Sequence, residues 1–107
     1  MIVVDSSVWI DYFNGTITKQ TNLLDSIIEK ELIVIGDIIL TEVLQGFYND
    51  KDYMKARELF DYLIFKQMLG KEQAIKSAEN YRFLRRKGVT VRKTIDVIIA
   101  TFCIENN

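Results

Sequence analysis

The chain of 107 residues carries fourteen basic and fifteen acidic side chains, one cysteine and no histidine. This length predicts a single domain over 1–107, and the lone cysteine excludes a disulfide framework. No apolar run approaches the ~20 residues of a membrane span, and no signal peptide is evident. We therefore expect a cytoplasmic protein with no membrane partner. Because the commonest ligand for zinc is missing, a metal would be held by oxygen, which favours Mg²⁺ or Mn²⁺.

The first predicted elements are a short strand and a helix on either side of Asp5. Ile2-Val3-Val4 reads as a buried strand, and Asp5-Ser6-Ser7 opens a helix that runs to Phe13. Ligands of open α/β sheets bind at the carboxyl ends of the strands, where Asp5 would lie. Asp is also a favoured N-cap, so Asp5 either belongs to a site or only caps the helix.

The rest of the chain alternates between strand and helix patterns. This order predicts an α/β fold with a short parallel sheet flanked by helices. The further predicted elements begin with a helix around 23–28, a strand over 32–35, a helix capped by Asp37 and ending near 46, and a helix over 52–63. They continue with a strand over 63–66, a helix over 71–87 that has apolar positions 75, 78, 81 and 84 on one side and Gly88 as its stop, and a last helix opened by Thr94 or Asp96.

Charge is divided unevenly along the chain. Residues 1–65 hold eleven acids and five bases, whereas residues 66–107 hold four acids and nine bases. Residues 82–93 contain six bases and no acid, and Arg82, Arg85 and Arg86 share one helical side. This pattern suggests a polyanionic partner for the second half, or alternatively an ordinary basic surface that pairs with acidic groups.

Three acids, Asp5, Glu42 and Asp96, have mainly apolar neighbours. A carboxylate half-buried among such neighbours is costly unless it is protonated, paired or bound to metal. One interpretation is that Asp5 and Asp96 are helix caps, that Glu42 reaches solvent, and that Arg92 or Lys93 pairs with Asp96. The other is that all three converge at one end of the sheet around a divalent cation, which reverses their mutual repulsion.

Four short motifs match a known pattern in order and approximate spacing. They lie at residues 2–10 (IVVDSSVWI), 41–46 (TEVLQG), 84–88 (LRRKG) and 94–100 (TIDVIIA). Through them the chain resembles the PIN-domain ribonucleases, and more closely the VapC-type toxins of toxin–antitoxin pairs. The resemblance covers nearly the whole chain and implies a PIN-like three-layer fold.

The resemblance also implies a chemistry and partners. Asp5, Glu42 and Asp96 would be the acidic ligands of Mg²⁺ or Mn²⁺ in a ribonuclease that hydrolyses RNA. A homodimer and a small inhibitory antitoxin protein are implied as well. The basic residues Arg85, Arg86 and Lys87 are then candidates for RNA contacts, and Ser6 or Ser7 could orient a carboxylate.

The family pattern continues past the last helix to another strand and a fourth acid, whereas this sequence ends at Glu105-Asn106-Asn107. We therefore expect a PIN-like domain without its C-terminal strand. The alternative function is a catalytically impaired module that binds an antitoxin or RNA without cleaving it.

Overall fold

A computed structural model describes residues 1–106. The chain divides into two compact units, an N-terminal unit of Met1–Lys66 and a C-terminal unit that begins at Gln67. The elements of the N-terminal unit are β1 (Ile2–Val3), α1 (Ser6–Phe13), α2 (Lys19–Ile27), β2 (Ile33–Gly36), α3 (Asp37–Leu44), α4 (Asp50–Asp61) and β3 (Ile64–Lys66). The C-terminal unit contains α5 (Lys71–Arg86) and α6 (Thr94–Glu105).

The N-terminal unit is built on a parallel sheet of three strands in the order β1-β2-β3. Two helices separate each strand from the next, which supplies the long crossover that parallel pairing requires. The predicted α/β class with a parallel sheet is therefore confirmed. Strand β2 is buried along its whole length, while all three residues of β3 are exposed. Because the strands are parallel, the segments that follow β1 and β2 leave from the same edge of the sheet.

Two helix starts differ from the sequence prediction because other residues act as caps. Helix α3 is preceded by Gly36 as N-cap, so Asp37 lies in the first turn, where its carboxylate accepts a hydrogen bond from the Ile38 amide (3.0 Å). Helix α4 begins at Asp50, two residues earlier than predicted, because the Asn49 side chain accepts from the Lys51 and Asp52 amides. Hydrophobic periodicity marks where a helix packs, whereas caps decide where it starts.

Helix α5 spans nearly the predicted residues, but its buried side is partly polar. Ile75, on the apolar side that the sequence marks, is 50% exposed, whereas Ser77 is buried. The Asn80 amide donates a hydrogen bond to the Thr101 hydroxyl on α6 (2.9 Å). A polar contact of this kind between two helices does not produce the regular spacing of apolar residues from which a buried side is predicted. Among residues 1–106, no helix is both long enough and apolar enough to cross a bilayer.

Trp9, the one tryptophan of the chain, lies at the centre of the N-terminal core and is fully buried. Its ring meets the edge of Phe60 at a centroid distance of 5.0 Å and stacks with Phe13 at 6.0 Å. Aromatic pairs of this kind add about 0.5–1.5 kcal/mol beyond the area they bury. Trp9 therefore fixes α1 against α4 and provides a fluorescence signal for the unfolding of this unit.

Thr21 connects the start of α2 to the preceding turn. Its buried hydroxyl donates to the Thr16 carbonyl (2.9 Å) and accepts from the Thr18 amide (2.8 Å). The Thr18 hydroxyl in turn accepts from the Thr21 amide (3.0 Å), which completes a capping box.

We predict that Thr21→Val lowers the free energy of unfolding by about 1–2 kcal/mol, because it leaves the Thr16 carbonyl and the Thr18 amide without their partner. Thr41→Val is the matched control. Thr41 is exposed and its hydroxyl only donates back to the Asp37 carbonyl (2.8 Å), so its loss should cost less than about 0.5 kcal/mol. Urea unfolding followed by Trp9 fluorescence measures both, and equal losses would contradict this account of Thr21.

Candidate active site

Asp5 lies two residues past the end of β1 and is the N-cap of α1. Its Oδ2 accepts hydrogen bonds from the Ser7 hydroxyl (2.6 Å) and from the Ser7 amide (3.4 Å). The capping role that the sequence suggested is therefore confirmed. Capping uses one oxygen of the carboxylate, and no hydrogen bond to Oδ1 is found within residues 1–106.

Glu42 lies on α3 and is half-buried, as its apolar neighbours predicted. Its Oε1 accepts a hydrogen bond from the Ser6 hydroxyl (3.1 Å), which joins positions 36 residues apart. Because Ser6 directly follows Asp5, this bond brings the Glu42 carboxylate to the first turn of α1. The two serines thus have separate roles, Ser7 on Asp5 and Ser6 on Glu42.

Neither carboxylate is neutralised by a basic side chain in the described part of the chain. The ion pairs found there are those of Lys76 with Glu72 and Glu105. Within residues 1–106, Asp5 and Glu42 each keep one carboxylate oxygen without a protein partner. Carboxylates gathered in this way without a basic partner favour a cation that would compensate their charge. Mg²⁺ fits this donor set, since it prefers oxygen and needs only one or two carboxylates beside its waters.

Asp96 lies in the first turn of α6, within the C-terminal unit. The N-cap of α6 is Lys93, whose side chain makes no capping bond, so the interpretation of Asp96 as a cap is wrong. No ion pair joins it to Arg92 or Lys93 among the described residues, so that pairing is not seen. Asp96 is exposed, as is Asp5, whereas their apolar neighbours predicted partial burial. Carboxylates near a helix N-terminus reach solvent easily and are stabilised there by the helix dipole.

Within either unit, over residues 1–106, no three Asp, Glu or Cys side chains form a group that could hold a metal. The N-terminal unit brings Asp5 and Glu42 together through Ser6, and Asp96 belongs to the other unit. Convergence of all three acids therefore stays a prediction. The one thiol is not an alternative reactive group, because burial raises the pKa of Cys103 and disfavours its thiolate.

The basic residues Arg85, Arg86 and Lys87 are all exposed at the C-terminal end of α5. The Arg85 guanidinium lies 5.9 Å from the centroid of the Tyr81 ring, and Lys87 Nζ lies 5.6 Å from that of Phe83. Gly88, with φ +80°, ends the helix as predicted. Among residues 67–106, no carboxylate forms an ion pair with these three cations.

A comparison with protein families decides the family of the chain: the PIN domain matches residues 2–107. The chain belongs to the PIN domain family. It is 30% identical over 111 residues to VapC ribonuclease Mb1587 of Mycobacterium bovis, across 99% of this chain and 81% of the relative. Ribonuclease VapC11 of Mycobacterium tuberculosis, from strains CDC 1551 and H37Rv, matches with the same identity and coverage.

We predict that Asp5→Asn changes the free energy of unfolding by less than about 0.5 kcal/mol, because an Asn side chain caps a helix as well as Asp does. Asp5→Ala removes the accepting oxygen and should cost about 1 kcal/mol. Urea denaturation of both variants tests this. If Asp5→Asn were as destabilising as Asp5→Ala, the capping bonds to Ser7 would require the charged form.

Proposed function

We propose that this chain is a magnesium-dependent ribonuclease that acts as the toxin of a toxin–antitoxin pair. The observation that carries the proposal is the Ser6–Glu42 hydrogen bond, which brings a second unneutralised carboxylate to the end of β1, beside Asp5. Membership of the PIN domain family and relatives named VapC ribonucleases support the same activity.

In this proposal Asp5, Glu42 and Asp96 hold the metal, and Mn²⁺ could replace Mg²⁺. When bound, the cation supplies Lewis-acid activation of water and neutralises charge on the phosphoryl oxygens. The chain's own residues orient the site. Ser7 restrains one oxygen of Asp5 and Ser6 restrains one oxygen of Glu42, which leaves the remaining oxygens available as ligands.

The reaction is hydrolysis of a phosphodiester bond in RNA. Water adds to the phosphorus, the bond from phosphorus to one ribose oxygen breaks, and the leaving oxygen takes a proton. Arg85, Arg86 and Lys87 bind phosphates of the same RNA strand, because they form an exposed cationic cluster without ion-pair partners among residues 67–106. Contacts of this kind give affinity and positioning but little sequence selectivity.

A small antitoxin protein and a homodimer complete the proposal. The exposed apolar side chains before and along α2 support a helical protein partner, since Ile17 is 82% exposed and Leu23 is 60% exposed. An amphipathic helix binds such side chains by burying its own apolar face against them.

We predict that RNA cleavage requires Mg²⁺ or Mn²⁺ and stops in EDTA. Asp5→Asn, Glu42→Gln and Asp96→Asn should each lower the cleavage rate by roughly 100-fold or more, because each removes a ligand charge that acts in the transition state. The measurement is single-turnover cleavage of structured RNA, with far-UV circular dichroism to verify that each variant is folded.

Glu58→Gln is the matched control, because Glu58 is an exposed acid on α4 and its loss changes the net charge equally. It should leave the rate unchanged. Full activity in Asp5→Asn would refute the assignment of the site. RNA binding without cleavage in either metal would instead favour the impaired binding module.

We predict that Arg85→Glu/Arg86→Glu weakens RNA binding and makes it less dependent on salt. Each lost phosphate contact should reduce the slope of log affinity against log salt by about 0.7 for single-stranded RNA. Lys51→Glu/Lys55→Glu reverses the same charge on exposed positions of α4 and serves as control. An unchanged slope in the arginine variant would remove these residues from the RNA surface.

A further inference from the structure

Helices α5 and α6 line a recess of about 450 Å³ in the C-terminal unit. Its walls are mainly apolar and include Phe83, Leu84 and Ile104. Its polar lining residues are Asn80, Asp96 and Thr101. The volume lies within the range of about 300–1,000 Å³ that is typical of small-molecule sites. The recess therefore has room for a planar group with polar edges.

Phe83 is the residue that indicates what kind of group this is. Its side chain is 58% exposed, and it lines the recess on a helix whose neighbouring side chains are basic. Lys87 Nζ lies 5.6 Å from the centroid of its ring. An exposed aromatic ring beside cations is the combination with which proteins bind single-stranded nucleic acid, because bases stack on the ring and phosphates meet the cations.

The positive charge of the C-terminal unit favours a nucleic acid over a second copy of the chain as the ligand of this recess. Residues 67–107 carry eight bases and four acids, a net charge of +4, and six of those bases fall within residues 82–93. A second C-terminal unit docked at the same surface would add the same positive charge and be repelled. A polyanion would be attracted instead.

The polar side chains in the recess suit the edge of a base. Asn80 donates one hydrogen bond to Thr101 (2.9 Å), and its amide makes no other hydrogen bond among the described residues. The remaining donor and acceptor capacity of that amide can pair with ring nitrogens, carbonyls or amino groups. Asp96, one of the proposed metal ligands, lines the same recess, so a group bound there would lie next to that ligand.

We infer that this recess is a subsite for one unpaired base of single-stranded RNA, with Phe83 as the stacking surface. The inference rests on the proposed function in taking RNA as the substrate. It adds that the nucleotide bound here is unpaired, because a base within a duplex cannot reach the ring. Phe83 is thus a substrate-binding residue, separate from the carboxylates.

The test compares two ligands in EDTA, where binding is measured without cleavage. The probes are a short fluorescein-labelled single-stranded RNA and the same backbone with abasic residues, followed by anisotropy. Phe83→Ala should weaken binding of the intact RNA about tenfold, as expected for the loss of one stacked base, and leave binding of the abasic strand unchanged. Phe83→Tyr should retain the affinity, because its ring still stacks.

Ile75→Ala is the matched control, since Ile75 lies on the same helix, is 50% exposed and is not part of the recess. It should bind both probes like the unmodified protein. Equal loss of both probes in Phe83→Ala, an effect shared by Ile75→Ala, or no binding of RNA by the unmodified protein would overturn the inference. If the protein self-associates and Phe83→Ala abolishes this self-association, a second copy occupies the recess, and the inference of a base subsite is overturned as well.

These results can be told apart from failure of the proposed ribonuclease. If cleavage is absent but Phe83→Ala selectively weakens binding of the intact RNA, the base subsite is supported and the proposed nuclease activity is refuted. If the chain cleaves RNA and Phe83→Ala binds RNA with unchanged affinity, the proposed nuclease activity is supported and the base subsite is refuted.

Discussion

The carboxylates of Asp5 and Glu42 are restrained by consecutive serine hydroxyls and are not neutralised by any basic side chain of the described residues. The Ser6–Glu42 bond connects the turn after β1 with the helix after β2, so it fixes like charges at one edge of the sheet. Both carboxylates therefore depend on solvent, or on a cation, to compensate their charge. Oxygen donors restrained in this way, with no basic partner among residues 1–106, are a donor set that Mg²⁺ would fit.

Most of the fold was predictable because its strands are short apolar runs and its helices have apolar residues at regular spacing. The parallel order follows from helices between successive strands. The errors lie where polar side chains decide the outcome. Helix α4 begins earlier than its apolar pattern predicts, because Asn49 caps it. A polar side of α5 faces α6, where Asn80 donates a hydrogen bond to Thr101. Hydrogen bonds between particular partners depend on tertiary packing and have no period in the sequence.

The candidate site was predictable to a similar extent. The position of Asp5 after a predicted strand and the apolar surroundings of Glu42 both indicated unusual acids, although that strand is half-buried rather than buried as predicted. Which serine orients which acid was not predictable, because Ser6 and Ser7 lie in the same turn and only their side-chain directions separate them. The exposure of Asp96 was wrongly predicted, since apolar neighbours in sequence need not surround a residue at a helix start. The exposure of Phe83 was not predicted either, because the position of a side chain on a packed helix depends on tertiary contacts.

Strand β3 has a consequence for how the protein behaves in concentrated solution. Among residues 1–106 it pairs with β2 on one side, and its Ile64 and Phe65 side chains are 39% and 56% exposed. An uncovered strand edge with apolar side chains is a template for pairing with another chain and can seed aggregates. Lys66, the charged residue that ends β3, opposes such stacking by repulsion between copies. One cation at the strand terminus thus contributes to solubility although it takes no part in the fold's core.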